Sequence, residues 1–259
     1  MSTSRAAPAT RGPLAAYVLH RYDWSESSLI LDLFTREQGR LAVAAKGAKR
    51  PYSQLRSVLL PFQRIQVSLG RAAADTESAR EVQNLRAAEW AGGAAMLTGA
   101  ALFSGFYLNE LLMKLLARHD PHAALFDAYA LTLPELVAND EARVQSALRA
   151  FELILLQAIG LLPDLSLVTQ TQTAVGVDRR YALLPEGGVG PASGTDAELA
   201  GSTLIGLQAA LEHGSLAALQ QACRQDLPGL KVALRGLIQH QLGATVLRTR
   251  QFMLDVQNL

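Results

Sequence analysis

Five short runs in which apolar and polar residues alternate constrain the fold of this chain more than any other feature. They occupy Ala16–Tyr22, Ser28–Thr35, Arg40–Ala45, Phe62–Leu69 and Glu81–Leu85. A period of two is typical of strands that bury one face. The turn Glu37-Gln38-Gly39 suits a hairpin, because Gly39 can take the positive φ that such a turn needs. Five strands in so short a segment, with a long basic loop after the third, predict an OB-fold barrel.

Beyond Trp90 the apolar residues recur every three or four positions, which is typical of helices. Asp120-Pro121 predicts an N-cap followed by proline in the first turn of a helix that runs to Val137. Asn139-Asp140 predicts the start of the next helix, which ends at Gly160. A stretch rich in Gly and Pro follows, and helical periodicity then returns.

These patterns predict an α+β chain with two domains. Residues 1–13 are rich in Ser, Thr, Ala and Pro and are expected to be disordered. Residues 14–88 should form the five-stranded OB-fold barrel. Residues 89–259 should form a mostly α-helical domain with a small irregular hairpin near residues 169–191.

Charge is distributed unevenly along the chain, although its formal net charge is only +1. Residues 36–71 hold eight Lys or Arg against one acid, residues 72–223 hold 8 against 17, and residues 224–250 hold five against one. Two segments would therefore attract a polyanion, so residues 14–88 are expected to bind nucleic acid. The candidate DNA-binding residues are Arg36, Arg40, Lys46, Lys49, Arg50, Tyr52, Arg56, Arg64, Arg71, Lys231, Arg235, Arg248 and Arg250.

The loop Lys46–Tyr52 has the composition of a phosphate-binding segment. Gly47 would let the backbone approach a phosphate, the three cations would supply charge, and Tyr52 offers a ring on which a base could stack. Such contacts do not read sequence and weaken steeply with salt. A solvated connection with charges for solubility is the alternative. Three other aromatic residues fall in or beside strands and are expected in the barrel interior, namely Trp24, Phe34 and Phe62.

No enzyme signature is present in the sequence. It contains no Gly-rich phosphate loop followed by Lys and Ser or Thr, no paired-Gly dinucleotide fingerprint and no Gly-x-Ser-x-Gly elbow. Its five histidines are scattered. We therefore expect no catalytic residue, no metal site and no cofactor.

Several features predict a cytoplasmic protein that does not contact a membrane. The single cysteine, Cys223, cannot form an internal disulfide or a cysteine zinc cluster and is expected to be a small buried residue. Residues 1–13 lack the apolar segment of a secretory signal. Ala91–Asn109 is uncharged over 19 residues, but its Ala and Gly content favours a close-packed helix over a membrane span.

Eight segments spread over nearly the whole chain share their order and spacing with one known family. They are Tyr17–His20, Trp24–Leu29, Leu31–Thr35 with Gly39-Arg40, Ala45–Arg50, Pro61-Phe62, Tyr107–Leu112, Leu148–Leu153 and Leu247–Arg250. Together they resemble the bacterial recombination mediators of the RecO family. The resemblance implies an N-terminal OB domain and a C-terminal helical domain. It also implies a non-enzymatic protein of the nucleoid that binds single- and double-stranded DNA and anneals complementary strands.

The resemblance further implies protein partners in gap and double-strand-break repair through the RecF pathway. With RecR, members of this family help RecA load onto DNA coated by the single-stranded DNA-binding protein, and they grip the acidic, phenylalanine-ended tail of that protein. Such a tail needs an apolar slot and a cation for its carboxylate. Arg149 beside Phe151 is the candidate site, and an exposed arginine on a helix face is the alternative.

Some members of the family carry a four-cysteine zinc element in the region of residues 161–191. This chain has no cysteine there, so no structural zinc is expected and the predicted hairpin would have to replace that element. Asn109 and Glu110 interrupt an apolar helix and are expected to form hydrogen bonds at the domain junction rather than to act in catalysis.

Two other classes of function stay open from the residues alone. A nuclease could use Asp23, Glu26 and Asp32, although their spacing is not that of a metal site. An interaction scaffold could direct the basic loop to an acidic protein instead of DNA. Dependence of binding on oligonucleotide length, and a metal requirement for cleavage, would separate these classes from a DNA-annealing protein.

Overall fold

The computed structural model describes residues 12–70, 82–93, 96–192, 194, 198–249 and 251. The predicted disordered N-terminus lies outside these residues, except for Gly12 and Pro13, which belong to no helix or strand. Two compact units are present: residues up to Gly93 with Arg118–Pro121, and Ala94–Ala117 with the residues from His122 onward. The predicted boundary after residue 88 falls inside the last strand of the first unit, which continues to Gly93.

The first unit is a closed five-stranded barrel, as predicted. Its strands are β1 (Leu14–Asp23), β2 (Leu29–Thr35), β3 (Gly39–Ala45), β4 (Gln63–Leu69) and β5 (Val82–Gly93). β1, β2 and β3 form an antiparallel meander, β4 pairs with both β1 and β5, and parallel pairing of β3 with β5 closes the barrel. A single turn of helix, α1 (Leu55–Val58), lies in the connection between β3 and β4. The interior is filled by small and branched apolar side chains, as the alternating pattern predicts: Leu14, Ala16, Val18, Leu31, Leu33, Leu41, Val43, Ile65 and Val67.

The turn between β2 and β3 requires glycine at position 39. Its φ is +70°, which confirms the predicted left-handed conformation. The Thr35 hydroxyl donates to the Gly39 carbonyl at 2.8 Å and accepts from the Gln38 N–H at 3.2 Å, so the turn is held from both sides. A Cβ at Gly39 would overlap the carbonyl of Asp120. Backbone conformation and close packing therefore both exclude a larger residue.

The second unit is mostly helical. Its helices are α2 (Gly99–Leu115), α3 (Ala123–Glu135), α4 (Glu141–Ala158), α5 (Gly201–His213), α6 (Leu216–Cys223) and α7 (Leu227–Leu242). α4 is the central helix, because it packs against α3, α6 and α7. Asp140 caps α4 by accepting the Ala142 N–H at 3.0 Å, and Gly160 follows its end with a φ of +72°, as predicted. Within the described residues, no helix is long and apolar enough to cross a bilayer.

The predicted start of α3 is wrong. The helix begins at Ala123 with His122 at its N-cap position, so Asp120-Pro121 precedes the helix. The reason is a tertiary contact: Arg118–Pro121 belongs to the barrel unit, and the His119 N–H donates to the Arg40 carbonyl at 3.0 Å. Pairing with the barrel holds this segment out of a helix despite its local capping signal.

The polar residues of α2, Asn109 and Glu110, form hydrogen bonds with residues of the helical unit. The Glu110 carboxylate accepts the backbone N–H groups of Arg248 at 2.9 Å and Thr249 at 3.0 Å, and the Thr249 hydroxyl at 2.7 Å. The Tyr129 hydroxyl donates to Asn109 at 2.6 Å. Glu110 thereby fixes the chain that follows α7.

Five short strands lie between α4 and α5. They are β6 (Leu167–Val168), β7 (Thr173–Ala174), β8 (Arg180–Leu184), β9 (Gly188–Pro191) and β10 (Glu198–Ala200). β8 and β9 form a hairpin in the predicted region, and β10 extends it to three strands. Two side chains tie this sheet to the preceding loops: the Tyr181 hydroxyl accepts the Gly176 N–H at 2.7 Å, and the Thr169 hydroxyl accepts the Val189 N–H at 2.8 Å.

Tyr181→Phe should lower the free energy of unfolding by about 1–3 kcal/mol, because the Gly176 N–H loses its acceptor beside a buried ring. Urea denaturation measures the change. A chelator should leave the wild-type midpoint unaltered, since hydrogen bonds hold this sheet. Tyr52→Phe, at a fully exposed site, is the matched control. Equal stability of Tyr181→Phe and the control would contradict the assigned role of the hydroxyl.

Candidate nucleic-acid interface

Strand β1 shifts its pairing register once, between Val18 and His20. Up to Val18 its inward residues are apolar and belong to the barrel core. After the shift Arg21 lies opposite the core residue Leu31, and residues directly opposite in an antiparallel pair share one face. Arg21, and Asp23 two residues later, therefore lie on the same face of β1 as the core residues, but both are exposed because they stand at the open end of the barrel. The sequence-based set of basic residues missed Arg21, because Arg21 lies outside the basic segments 36–71 and 224–250.

A cavity of about 410 Å³ opens at this end of the barrel, and we call it the mouth cavity. Three cations line it, namely Arg21, Lys49 and Arg56, together with the carboxylate of Asp23. Leucines from β2 and from the α1 region, Leu29, Leu55 and Leu59, supply its apolar part. Barrel mouths are common ligand sites, and a few polar groups over an apolar floor are their usual composition.

Lys49 joins the basic loop, Lys46–Tyr52, to the β1–β2 turn. Its ammonium lies 2.9 Å from the Asp23 carboxylate and donates to the Ser25 carbonyl at 3.1 Å. Its backbone N–H donates to the Ser27 carbonyl at 3.0 Å. A loop fixed in this way loses less conformational entropy when it binds a ligand than a free loop would.

The exposed side chains around this loop include cations and aromatic rings, beside the exposed carboxylates of Asp23 and Glu26. Lys46 and Arg50 are exposed, and the guanidinium of Arg50 lies beside Gly47, whose φ is +73°. Tyr52 is 99% exposed, as a stacking platform would be. Trp24, in the β1–β2 turn, is 56% exposed, so its predicted place in the interior is wrong. The reason is that β1 ends at Asp23, one residue before it.

Phe34 and Phe62 are buried, but neither belongs to the barrel core. Leu31 and Leu33 are the core residues of β2, so Phe34 lies on the opposite face of that strand and its predicted place in the barrel interior is wrong. A further exposed aromatic side chain, Tyr22, packs edge-on against His20 with ring centroids 4.4 Å apart. Exposed rings beside cations are the arrangement by which proteins bind single strands without reading their sequence.

Arg40 has a partner inside the barrel unit. Its guanidinium forms two bonds to the buried Asp32 carboxylate, at 2.9 and 3.3 Å, and Arg118 approaches the same carboxylate at 3.7 Å. Arg40 therefore compensates a buried charge, and its side chain is only 14% exposed. Asp23 and Asp32, two of the three acids of the nuclease alternative, are thus each paired with a cation. Among the described residues, no group of three or more His, Cys, Asp or Glu could hold a metal ion.

The remaining candidate cations are scattered over both units. In the barrel unit, Arg36 is exposed in the β2–β3 turn and Arg64 is half-buried on β4. In the helical unit, Lys231 and Arg235 are exposed and lie four residues apart on α7, and Arg248 is exposed beyond it. The two other candidates, Arg71 and Arg250, lie outside the described residues.

Arg149 and Phe151 are both in the interior of the helical unit, so neither forms an open slot for a peptide tail. Arg149 is only 6% exposed and pairs with Glu152 at 2.6 Å. Phe151 is fully buried and packs edge-on against Tyr129 at 6.0 Å between ring centroids. The alternative of an exposed arginine on a helix face is therefore wrong as well.

The buried pair Arg149–Glu152 extends to Tyr107. The Tyr107 hydroxyl donates to the Glu152 carboxylate at 2.7 Å. Burial raises the pKa of Glu152 even though Arg149 opposes it, and burial also raises the pKa of Tyr107 well above its ordinary value. Within the described part of the chain, Nε of Arg149 and Oε2 of Glu152 have no hydrogen-bond partner. Cys223 is buried as predicted, and its burial raises the thiol pKa to about 12.

Comparison with known proteins places this chain in one family over nearly its full length. A family described as Recombination protein O N terminal matches residues 14–91, and Recombination protein O C terminal matches residues 96–251. A DNA repair protein RecO of Polaromonas naphthalenivorans is 51% identical over 246 residues, which cover 94% of this chain and 96% of the relative. The RecO of Verminephrobacter eiseniae is 50% identical over the same shares of both chains. The chain therefore belongs to the RecO family of DNA repair proteins.

Proposed function

We propose that this protein binds single- and double-stranded DNA and anneals complementary strands, as a non-enzymatic mediator of recombinational repair. The proposal rests on the arrangement at the barrel mouth. There the anchored basic loop, Lys46–Tyr52, lies next to the β1–β2 turn, which bears the exposed side chain of Trp24. Lys49 provides that connection through its bonds to Asp23 and Ser25. Family membership supports a role in DNA repair.

Annealing requires two polyanionic strands to approach each other. Cations at the mouth lower the repulsion between phosphates by replacing their counterions. Rings such as Trp24 and Tyr52 would stack on the faces of bases and leave the pairing edges open to the second strand. The protein would then hold a strand in a state that can pair, with no bond made or broken.

The protein partners in this proposal rest on the family alone. They are RecR, RecA as an indirect partner, and the tail of the single-stranded DNA-binding protein, all acting in the cytoplasm at the nucleoid. Since Arg149 and Phe151 are buried, the tail would have to bind at another surface.

Lys46→Glu combined with Arg50→Glu should slow annealing and weaken single-strand binding. Both residues are exposed on the loop, whereas Lys49 stays in place because it anchors the loop. Removal of one phosphate-binding cation should reduce the slope of log affinity against log salt by about 0.7, so removal of two should reduce it by about 1.4. Fluorescence anisotropy across a salt series measures the slope, and strand annealing with and without the coating protein is followed in parallel without ATP.

Lys114→Glu combined with Arg179→Glu is the matched control, because both residues are exposed and neither is a candidate DNA-binding residue. An unchanged salt slope in the loop variant would contradict the proposal. Binding without annealing would make the protein a DNA-binding module of another kind. Absence of binding at low salt would favour the scaffold alternative, and strand cleavage with a divalent metal would favour a nuclease.

A further inference from the structure

We propose that the mouth cavity binds the terminal phosphate of a DNA strand. This inference rests on the proposed DNA-binding function and goes beyond it, because it names the part of the substrate that the cavity takes. The charge of the cavity lining, its available hydrogen-bond donors and the size of the cavity each support this inference.

The charge of the mouth cavity suits a dianion. Three cations, Arg21, Lys49 and Arg56, face one carboxylate, Asp23, so the formal charge of the lining is two positive. A terminal phosphate monoester carries about −1.5 to −2 at neutral pH and presents three acceptor oxygens. An internal phosphodiester carries a single negative charge and two unesterified oxygens. The lining therefore supplies more charge than an internal phosphate needs and about as much as a terminal one carries.

Donors remain available for such a ligand. Arg21 donates to the Leu59 carbonyl at 3.3 Å through one nitrogen, which leaves most of its five N–H groups. Arg56 donates its backbone N–H to the Ser53 carbonyl at 3.2 Å, and among the described residues its guanidinium has no hydrogen bond or ion pair. Two guanidinium groups that line one cavity can give a phosphate paired bonds of the charge-assisted kind.

The size of the cavity suits the end of a strand. It is bounded by β1, β2 and the loop that carries α1, and its volume of about 410 Å³ is that of a small-molecule pocket. The leucines of its lining would cover one sugar or base beside the phosphate.

A second cavity lacks these properties. It has about 580 Å³ and lies between α5 and α6 of the helical unit. Its lining consists of Ala, Gly, Ser, Thr and Gln residues with one histidine, His213, and includes no Lys or Arg. It is the larger space, but it offers no match to a phosphate.

The test compares single strands of one sequence with a 5′-phosphate, a 3′-phosphate or hydroxyl groups at both ends, each labelled internally. One of the two phosphates should raise the affinity about tenfold, as one charge-assisted pair of bonds would. Arg21→Gln and Arg56→Gln should each reduce that ratio to near one, with a much smaller effect on the strand that ends in hydroxyl groups. Glutamine at position 21 can still donate to the Leu59 carbonyl, so the loop should stay in place.

Lys114→Gln, which removes an exposed cation from α2, should retain the full ratio. Equal affinity for all three strands would overturn the inference while leaving DNA binding intact. A ratio that persists in both arginine variants would overturn it too, because the phosphate would bind elsewhere. Failure of the strand with two hydroxyl ends to bind at all would instead contradict the proposed function. If Arg21→Gln does not fold, Arg56→Gln, at an exposed site on α1, decides the question.

Discussion

Arg149→Met should lower the free energy of unfolding by about 3–5 kcal/mol, because it leaves the Glu152 carboxylate buried without its cation. The loss should grow as the pH rises. Without Arg149 the folded-state pKa of Glu152 lies still further above its unfolded value, so the carboxyl stays protonated in acid and must ionise in the interior at higher pH. Denaturant titrations from mildly acidic to mildly alkaline pH measure both effects.

Arg143→Met on the same helix is the matched control. Arg143 also pairs with a glutamate, Glu135, but it lies at the surface, so its removal should leave the unfolding midpoint close to that of the wild type. Arg149→Met combined with Glu152→Leu and Tyr107→Phe should recover most of the lost stability, since apolar side chains of similar volume avoid the buried charge and no hydroxyl is left without its acceptor. A single Arg149 variant as stable as the wild type would contradict the assigned pairing. Loss of a protein partner in that variant would report damage to the fold, not a contact site.

Trp24→Ala combined with Tyr52→Ala should weaken binding of single-stranded DNA by about 30-fold or more, since each stacked base contributes about 1–3 kcal/mol and two are lost. Both rings are exposed, so their removal leaves no cavity in the core. Duplex binding should change far less, because paired bases are already stacked on each other. Anisotropy with single strands and with a matched duplex measures the difference.

Trp24→Phe combined with Tyr52→Phe is the conservative control, and it should retain most of the single-strand affinity because a ring face remains at each position. Equal losses for single strands and duplex in the alanine variant would assign these side chains to general backbone contacts. An alanine variant with wild-type affinity would place the path of the strand away from the basic loop.

The barrel could be predicted from sequence because its interior residues alternate along short strands and its turn at Gly39 needs a positive φ. Side chains that lie beyond a strand end could not be placed in this way. Trp24 follows the last residue of β1, so the alternation no longer decides whether it faces inward. Arg21 was missed for a different reason, because it lies outside the basic segments 36–71 and 224–250 that supplied the candidate residues.

Beyond the last barrel strand, tertiary contacts determined features of the structure that local sequence patterns did not predict. Asp120-Pro121 has the composition of a helix start, yet the segment pairs with the barrel instead. Arg149 resembles a surface residue in isolation, and only the buried position of Glu152 three residues later accounts for its burial. The sequence therefore predicted the helices and strands well. It did not predict which polar side chains form buried contacts within the folded protein.

The return of Arg118–Pro121 to the barrel means that this unit is discontinuous along the chain. A fragment that stops at Gly93 would contain all five strands and still be incomplete. It would lack the Arg118 guanidinium near Asp32 and the backbone N–H that the Arg40 carbonyl accepts. Division of this protein after Gly93 into a barrel fragment and a helical fragment would therefore leave part of the barrel unit on the helical fragment.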